Sequence, residues 1–232
     1  MHHWHVFNEF KQASIAAADF IAEHISNVLN IKDTCHVALP GGNTPALCLS
    51  YLAIKDIPWE KVHWYLGDER CVERSHASRN DLMLEINFWS RLPSVNKYSI
   101  PAELGPVEAA QSYSETISSI NNFDIAFLGL GEDGHTASLF PDNIALTDAR
   151  AVVPVFNSPK PPGERVSVSV NTLQNAGCRM VLAAGSAKAD VLSKVKKGDN
   201  LPVNVIGDIA WFVDVGAMSM QVAEPSSSAV HR

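Results

Sequence analysis

HVALPGGNTPALCLSYL, residues 36–52, reads in three parts. Residues 36–39 are a short apolar run, the pattern of a strand buried on both faces. Residues 40–45, PGGNTP, put two glycines and two prolines where regular structure must break. Residues 46–52 return to an apolar helical pattern, and Pro45 stands at a first-turn position where its missing N–H costs no hydrogen bond. The stretch predicts strand, glycine turn, helix, and the chain repeats that unit.

Residues 62–66 (VHWYL) give a second strand, followed by a polar loop and a helix over 81–89. A helix over 107–120 leads into a strand over 124–128. Further strands are expected over 165–170, over 180–184 with a helix over 187–195, and at Trp211-Phe212-Val213. An amphipathic helix over 13–29 opens the chain, with Ile15, Ala18, Ala22, Ile25 and Leu29 at helical spacing and Phe20 off register. Strands that alternate with helices imply βαβ crossovers, hence an α/β fold: a mainly parallel sheet covered on both faces, an αβα sandwich in three layers. Ligands of such sheets lie beyond the carboxyl ends of the strands, so the loops that follow strands should build the site.

The 232 residues, 46% of them hydrophobic, suit one domain over 1–232. The proline-rich stretch 157–163 reads as an exposed loop, Ser226-Ser227-Ser228 as a loose tail, and no internal repeat is present. A formal charge of −7 argues against a nucleic-acid partner, which would need a cationic face. Any anionic ligand must then meet a local cluster of cations. Cys35, Cys48, Cys71 and Cys178 show no C-x-x-C spacing, and Met1 is not followed by a secretory-type segment, so a reducing cytoplasm is expected. No apolar run approaches the ~18 residues of a membrane span. His2, His3 and His5 look like a metal cluster, but they sit at a terminus expected to fray, without a second ligand group; no metal is expected there.

Chemistry gathers in four loops. Gly41, Gly42, Asn43 and Thr44 lie where unpaired helix-start amides favour an anion, although the loop matches neither the Walker nor the dinucleotide pattern. Gly67-Asp68-Glu69-Arg70 places an acid pair beside an arginine, and Arg74, Arg79 and Asn80 follow, so the loop reads as an anion clamp. LGLGEDGHTASLFP, residues 128–141, sets His135 two positions after Asp133 among Gly129, Gly131 and Gly134. Glycines there let backbone approach a ligand or adopt positive φ. An imidazole beside a carboxylate is a general-base arrangement. Thr136 and Ser138 are available nucleophiles, yet no G-x-S-x-G elbow is present, which favours an activated water. Gly185-Ser186-Ala187-Lys188 puts a lysine in a first helical turn at the same sheet edge.

LPGGNTP, YLGDERCV, SRND, FLGLGEDGHTASLFP, GERVSVSVNTL, GSAK and AWFVD occur in the order found in 6-phosphogluconolactonases, and the chain resembles that family over nearly its whole length. The related glucosamine-6-phosphate deaminases are similar through DGH and then diverge from TASLFP. The resemblance implies a Rossmann-like sandwich with a modified parallel sheet. It also implies hydrolysis of 6-phospho-D-glucono-1,5-lactone in the oxidative pentose phosphate pathway, without a metal or organic cofactor. It makes His135 the base, supported by Asp133, with substrate contacts from Gly41, Gly42, Asn43, Thr44, Asp68, Arg70, Arg79, Gly131, Arg165 and Lys188. Which of the cations holds phosphate stays open. Many family members carry Pro and Ser where this chain has Glu73 and Arg79. The expected partner is a phosphosugar lactone, with the chain a monomer or weak homo-oligomer. Two rivals are a deaminase or isomerase with Asp68 as proton-transfer base, against which TASLFP counts, and a sugar-phosphate sensor, for which the chain has no basic DNA-binding helix.

Overall fold

In the computed structural model, which describes residues 2–218, the chain runs β1 (His3–Phe7), α1 (Phe10–Leu29), β2 (Cys35–Leu39), α2 (Asn43–Leu52), β3 (Val62–Leu66), β4 (Asp68–Arg70), α3 (Asn80–Asn87), β5 (Asn96–Tyr98) and α4 (Pro106–Ile117). It continues through β6 (Ile125–Leu128), β7 (Val152–Val155), β8 (Arg165–Val168), α5 (Val170–Gln174), β9 (Cys178–Ala183), α6 (Ala189–Lys197), α7 (Pro202–Val205), β10 (Ala210–Asp214) and α8 (Val215–Met218). Seven strands form one sheet in the order β1-β10-β9-β6-β2-β3-β5, and every neighbouring pair is parallel. Helices cover it on both faces, giving three layers. Because such strands meet apolar layers above and below, β6 is buried at all four residues and β2 at all but His36.

Local chemistry explains where the helices lie. The buried face of α1 is Ala13, Ser14, Ala17, Ala18, Ile21 and Ile25, a stripe at helical spacing. Small residues there let α1 pack closely against α2 and β10. Phe20, off that stripe, reaches Phe212 with ring centroids 5.1 Å apart. In α4, Pro106 opens the first turn, and the Tyr113 hydroxyl takes a hydrogen bond from Leu66 N (2.9 Å) and gives one to Leu66 O (3.0 Å). That buried tyrosine ties the helix to the end of β3, next to the loop that carries Asp68 and Arg70.

Several expectations need correction. The N-terminal histidines do not fray: β1 pairs in parallel with β10, and Trp4 stacks on Trp211 at 4.8 Å. His2 meets Asn204 Oδ1 at 3.2 Å and His5 stacks on Phe212. Residues 165–170 do not join the main sheet. Their strand ends at Val168 and belongs to a second, antiparallel sheet in the order β4-β8-β7. Its other members escaped sequence reading because β4 is the charged tripeptide Asp68-Glu69-Arg70 and β7 contains Pro154, tolerated on an edge strand. Helix α2 starts at Asn43, so Asn43 and Thr44 are first-turn residues rather than loop, and α3 stops at Asn87. Ser226-Ser227-Ser228 lies outside the described residues.

Candidate active site

The carboxyl ends of β2, β3, β6 and β9 open onto a cavity of about 370 Å³. After β2 the chain turns through Gly42 at φ 97°, a conformation that suits glycine, and α2 begins without a side-chain cap. Its first-turn amides are therefore left for a ligand. Gly41 has a different reason to be glycine: a Cβ there would fall 1.8 Å from Asn80 Oδ1. Gly41, Gly42, Asn43 and Thr44 all line the cavity, together with Asp68 and Arg70 from the end of β3 and beyond.

Opposite stands the loop after β6. His135 Nδ1 and Asp133 Oδ1 form a short hydrogen bond, and the His135 backbone amide also points at Asp133 Oδ1 (3.3 Å). With Nδ1–H given to the carboxylate, Nε2 is left as the basic nitrogen. Burial pulls the His135 imidazole below its ordinary value; Asp133 opposes that, and the charge of Lys160 adds to it. Asp133 is held low: burial pushes it up, but the hydrogen bond and charge of His135 outweigh that. Gly131 N donates to His135 O (2.8 Å) and Gly134 N to Gly131 O (3.1 Å), closing the loop on itself. Of its glycines only Gly134 has positive φ (84°). Gly131 serves instead for close approach, since a Cβ on it would lie 2.0 Å from His135 Nδ1 and 2.5 Å from Asp133 Oδ1. Ala137, also on the cavity wall, takes φ 49°, a costly value for a residue with a Cβ.

Four cations line the cavity: Arg70, Lys160, Arg165 and Lys188. Arg70 donates from Nη1 to Ser78 O, while its Nε is buried without a partner among the described residues. Arg165 is only 5% exposed and is committed to the proline loop, giving Nε to Pro162 O (3.2 Å) and Nη2 to Lys160 O (3.0 Å) and Pro161 O (3.2 Å). Its guanidinium also lies over the Phe140 ring, 5.4 Å from the centroid. Lys160 sits on the loop that Arg165 pins and is a cavity residue that sequence reading passed over as mere exposed loop. The available signal was a lysine between prolines close to a motif arginine. Lys188 follows Gly185, whose amide donates to Asp214 Oδ1 at 2.9 Å, so the end of β10 fixes the turn that carries the lysine. Burial lowers the Lys188 ammonium, and the nearby Lys160 charge lowers it further.

Arg79 does not join this set. Its guanidinium is 2% exposed and gives Nε and Nη2 to Asp81 (3.0 and 2.6 Å), Nη1 to Glu103 (3.1 Å) and Nη2 to Ile100 O (3.2 Å). No donor is left over for a substrate, because an acid-rich pocket behind the loop has taken them all. Arg74, expected in the same clamp, pairs with Glu103 at the surface.

The candidate nucleophiles are engaged elsewhere. Ser138 Oγ donates to Asp68 Oδ2 (2.5 Å) and Thr136 Oγ1 to Gly129 O (3.0 Å), both in residues almost wholly buried. Asp68 also receives Asn80 Nδ2 at 3.2 Å, so both its oxygens hold donors. Among the described residues no group of three or more His, Cys, Asp or Glu side chains is placed to hold a metal ion. No helix among them is long and apolar enough to cross a membrane.

Comparison with known proteins identifies the family and the fold. Residues 8–211 match the family model described as glucosamine-6-phosphate isomerases/6-phosphogluconolactonase. A 6-phosphogluconolactonase of Synechocystis sp. is 32% identical over 196 residues, covering 77% of this chain and 81% of that protein. The crystal structure of 6-phosphogluconolactonase from Thermotoga maritima superposes with TM-score 0.86 at 27% identity, over 92% of this chain and all of that one. A monomeric glucosamine-6-phosphate deaminase shares the fold, with TM-score 0.82 but 17% identity, over 95% of this chain and 100% of the other.

Proposed function

This chain belongs to the family of glucosamine-6-phosphate isomerases and 6-phosphogluconolactonases, and from that premise we propose that it hydrolyses 6-phospho-D-glucono-1,5-lactone to 6-phosphogluconate, the lactone step of the oxidative pentose phosphate pathway. The observation that carries the reading is an imidazole hydrogen-bonded to an acid, facing a cavity whose other walls bear cations. Relatives named 6-phosphogluconolactonase support the lactone in preference to an amino sugar. A reducing, cytoplasmic setting accords with the free cysteines.

In the proposed reaction a water held by His135 Nε2 gives up a proton as its oxygen adds to the lactone carbonyl carbon. The tetrahedral oxyanion meets Arg70 and the first-turn amides after Gly42. The bond from that carbon to the ring oxygen then breaks, His135 returns its proton to the departing oxygen as a hydroxyl, and the new carboxylic acid ionises. Asp133 holds the ring in the tautomer that leaves Nε2 basic and stabilises the imidazolium that forms in passing. Ser138 and Thr136 are turned to Asp68 and Gly129, which favours water over a covalent ester.

The phosphate falls to Lys160 and Lys188. Both line the cavity, and among the described residues neither ammonium has a carboxylate ion-pair partner, which leaves two positive charges on its wall for an anion. Replacing either by methionine is expected to raise KM about 10- to 100-fold, the worth of a charge-assisted hydrogen bond of roughly 1.5–3 kcal/mol. Glucono-1,5-lactone, which lacks the phosphate, should be hydrolysed equally by wild type and variants. Equal losses on both substrates would take the phosphate away from the lysines. The mechanism asks nothing of a metal, so turnover should survive chelation by EDTA; a loss restored by added divalent ion would refute it.

The deciding experiment is lactone hydrolysis, followed by 6-phosphogluconate formation from freshly generated substrate, against the uncatalysed background. A wild-type rate equal to background would reject the proposal and bring the deaminase and sensor readings forward.

A further inference from the structure

The Arg70 and Asn80 side chains line the cavity from the two ends of an eleven-residue excursion, and a single buried carboxylate joins those ends. Glu69 has no exposed surface. Its Oε1 accepts hydrogen bonds from Arg70 N (2.9 Å) and Asn80 N (2.8 Å), and its Oε2 from Asp81 N (3.0 Å). Arg79 stands behind it, Nε 3.5 Å from Oε2, with the rest of its guanidinium spent on Asp81, Glu103, Val72 O and Ile100 O. The carboxylate thus closes the loop at its base; burial pushes its pKa up to about 7, the three backbone amides oppose that, and the Arg79 guanidinium stands alongside as counter-charge.

Two polar atoms on the wall that results have no partner among the described residues: Arg70 Nε, a donor, and Asn80 Oδ1, an acceptor. Asn80 cannot exchange them by flipping its amide, because Nδ2 is already given to Asp68 O (2.8 Å) and Asp68 Oδ1 (3.2 Å). Gly41 leaves room for the amide by lacking a Cβ. A buried donor and a buried acceptor without partners in two residues that line the cavity are costly unless the wall is held in place or a polar ligand draws them out.

We propose that Glu69, backed by Arg79, is the positioning residue that sets the Arg70 and Asn80 wall of the substrate cavity. This rests on the lactonase reading for its catalytic consequence, though not for its geometry. Arg79 thereby takes on a role in the site without touching substrate. Lys160 and Lys188 lie on other loops and are set independently.

Glu69→Gln puts an amide nitrogen against backbone N–H groups that now meet oxygen. It is expected to lower kcat/KM for the lactone at least 10-fold. The loss should shrink to less than threefold when added to an Arg70→Ala, Asn80→Ala background, because the wall it sets is already gone, yet should multiply in full with Lys160→Met. A loss that multiplies in both backgrounds would mean that Glu69 only stabilises the fold, and would overturn the proposal, as would a loss under twofold. Arg79→Met, which leaves the amide contacts in place, repeats the cycle if Glu69→Gln fails to fold. If wild type itself shows no hydrolysis above background, the functional reading fails, and backbone hydrogen exchange decides the inference: the Asn80 and Asp81 amides should exchange at least 10-fold faster in the variant. Unchanged exchange would refute the positioning role.

Discussion

Alanine at position 135 is expected to lower kcat by about 10²- to 10⁴-fold, the usual contribution of a positioned general base, while KM changes far less. In the proposed mechanism the imidazole moves the proton, whereas the cations and first-turn amides proposed to bind substrate lie on other loops of the cavity. The pH dependence follows from the same group. A base works when unprotonated, so activity should fall as pH drops through the His135 pKa. Burial places that pKa below the usual 6.5, hence the rate should be flat through neutrality and bend only in more acid solution. Lys160→Met removes a neighbouring positive charge and should move that bend to higher pH. A variant without His135 that keeps wild-type turnover would retain the function and discard the mechanism.

Gly131→Ala is the second large effect, and it touches no reacting atom. The added methyl carbon would stand 2.0 Å from His135 Nδ1 and 2.5 Å from Asp133 Oδ1, far inside any contact distance, so the pair must part or the loop must shift. Displacement of a catalytic group by about 1 Å can cost about 10²-fold. We expect kcat/KM to fall by about that factor with the thermal transition nearly unchanged, since the methyl meets a side-chain pair at a loop and not the packed core. Gly129→Ala is the control, because no atom lies within 4 Å of the Cβ it would carry. Comparable losses in the two variants would show that the loop needs glycine for flexibility and not for space.

The contrast between these glycines marks how far sequence alone reaches. The five inner strands of the main sheet were legible, and the edge strands β1 and β5 were not, because burial on both faces writes itself as an uninterrupted apolar run, as in Ile125–Leu128. The site loops were legible because strand ends, glycines and acid-paired imidazole coincide. What stayed hidden depended on partners far away in the chain. β1 carries two histidines and lies half-exposed at the sheet edge, and its place is given by Trp211 and Val213, some two hundred positions later. β4 carries three charged residues, which become a strand only because β8 lies beside it. Arg79 has the chemistry of a phosphate ligand, and only the arrangement of Asp81, Glu103 and Ile100 around it shows that its donors are taken. Lys160 was the converse case, a lysine in a loop made purposeful by the arginine beneath it.

The pairing of β1 with β10 also has a bearing on when in its own synthesis the protein becomes an enzyme. Among the described strands β1 pairs with β10 alone, so residues 3–7 have no strand to pair with until residues 210–214 have been made. The same late strand brings Asp214, which clasps the amide of Gly185 and sets the turn bearing Lys188. Contacts so distant along the chain are slow to form and leave the intermediate exposed meanwhile. A nascent chain can therefore hold the imidazole and its acid partner in place before the turn that bears Lys188 is fixed. The turn that bears Lys188 and the edge strand of the sheet are thus fixed in one step, by β10.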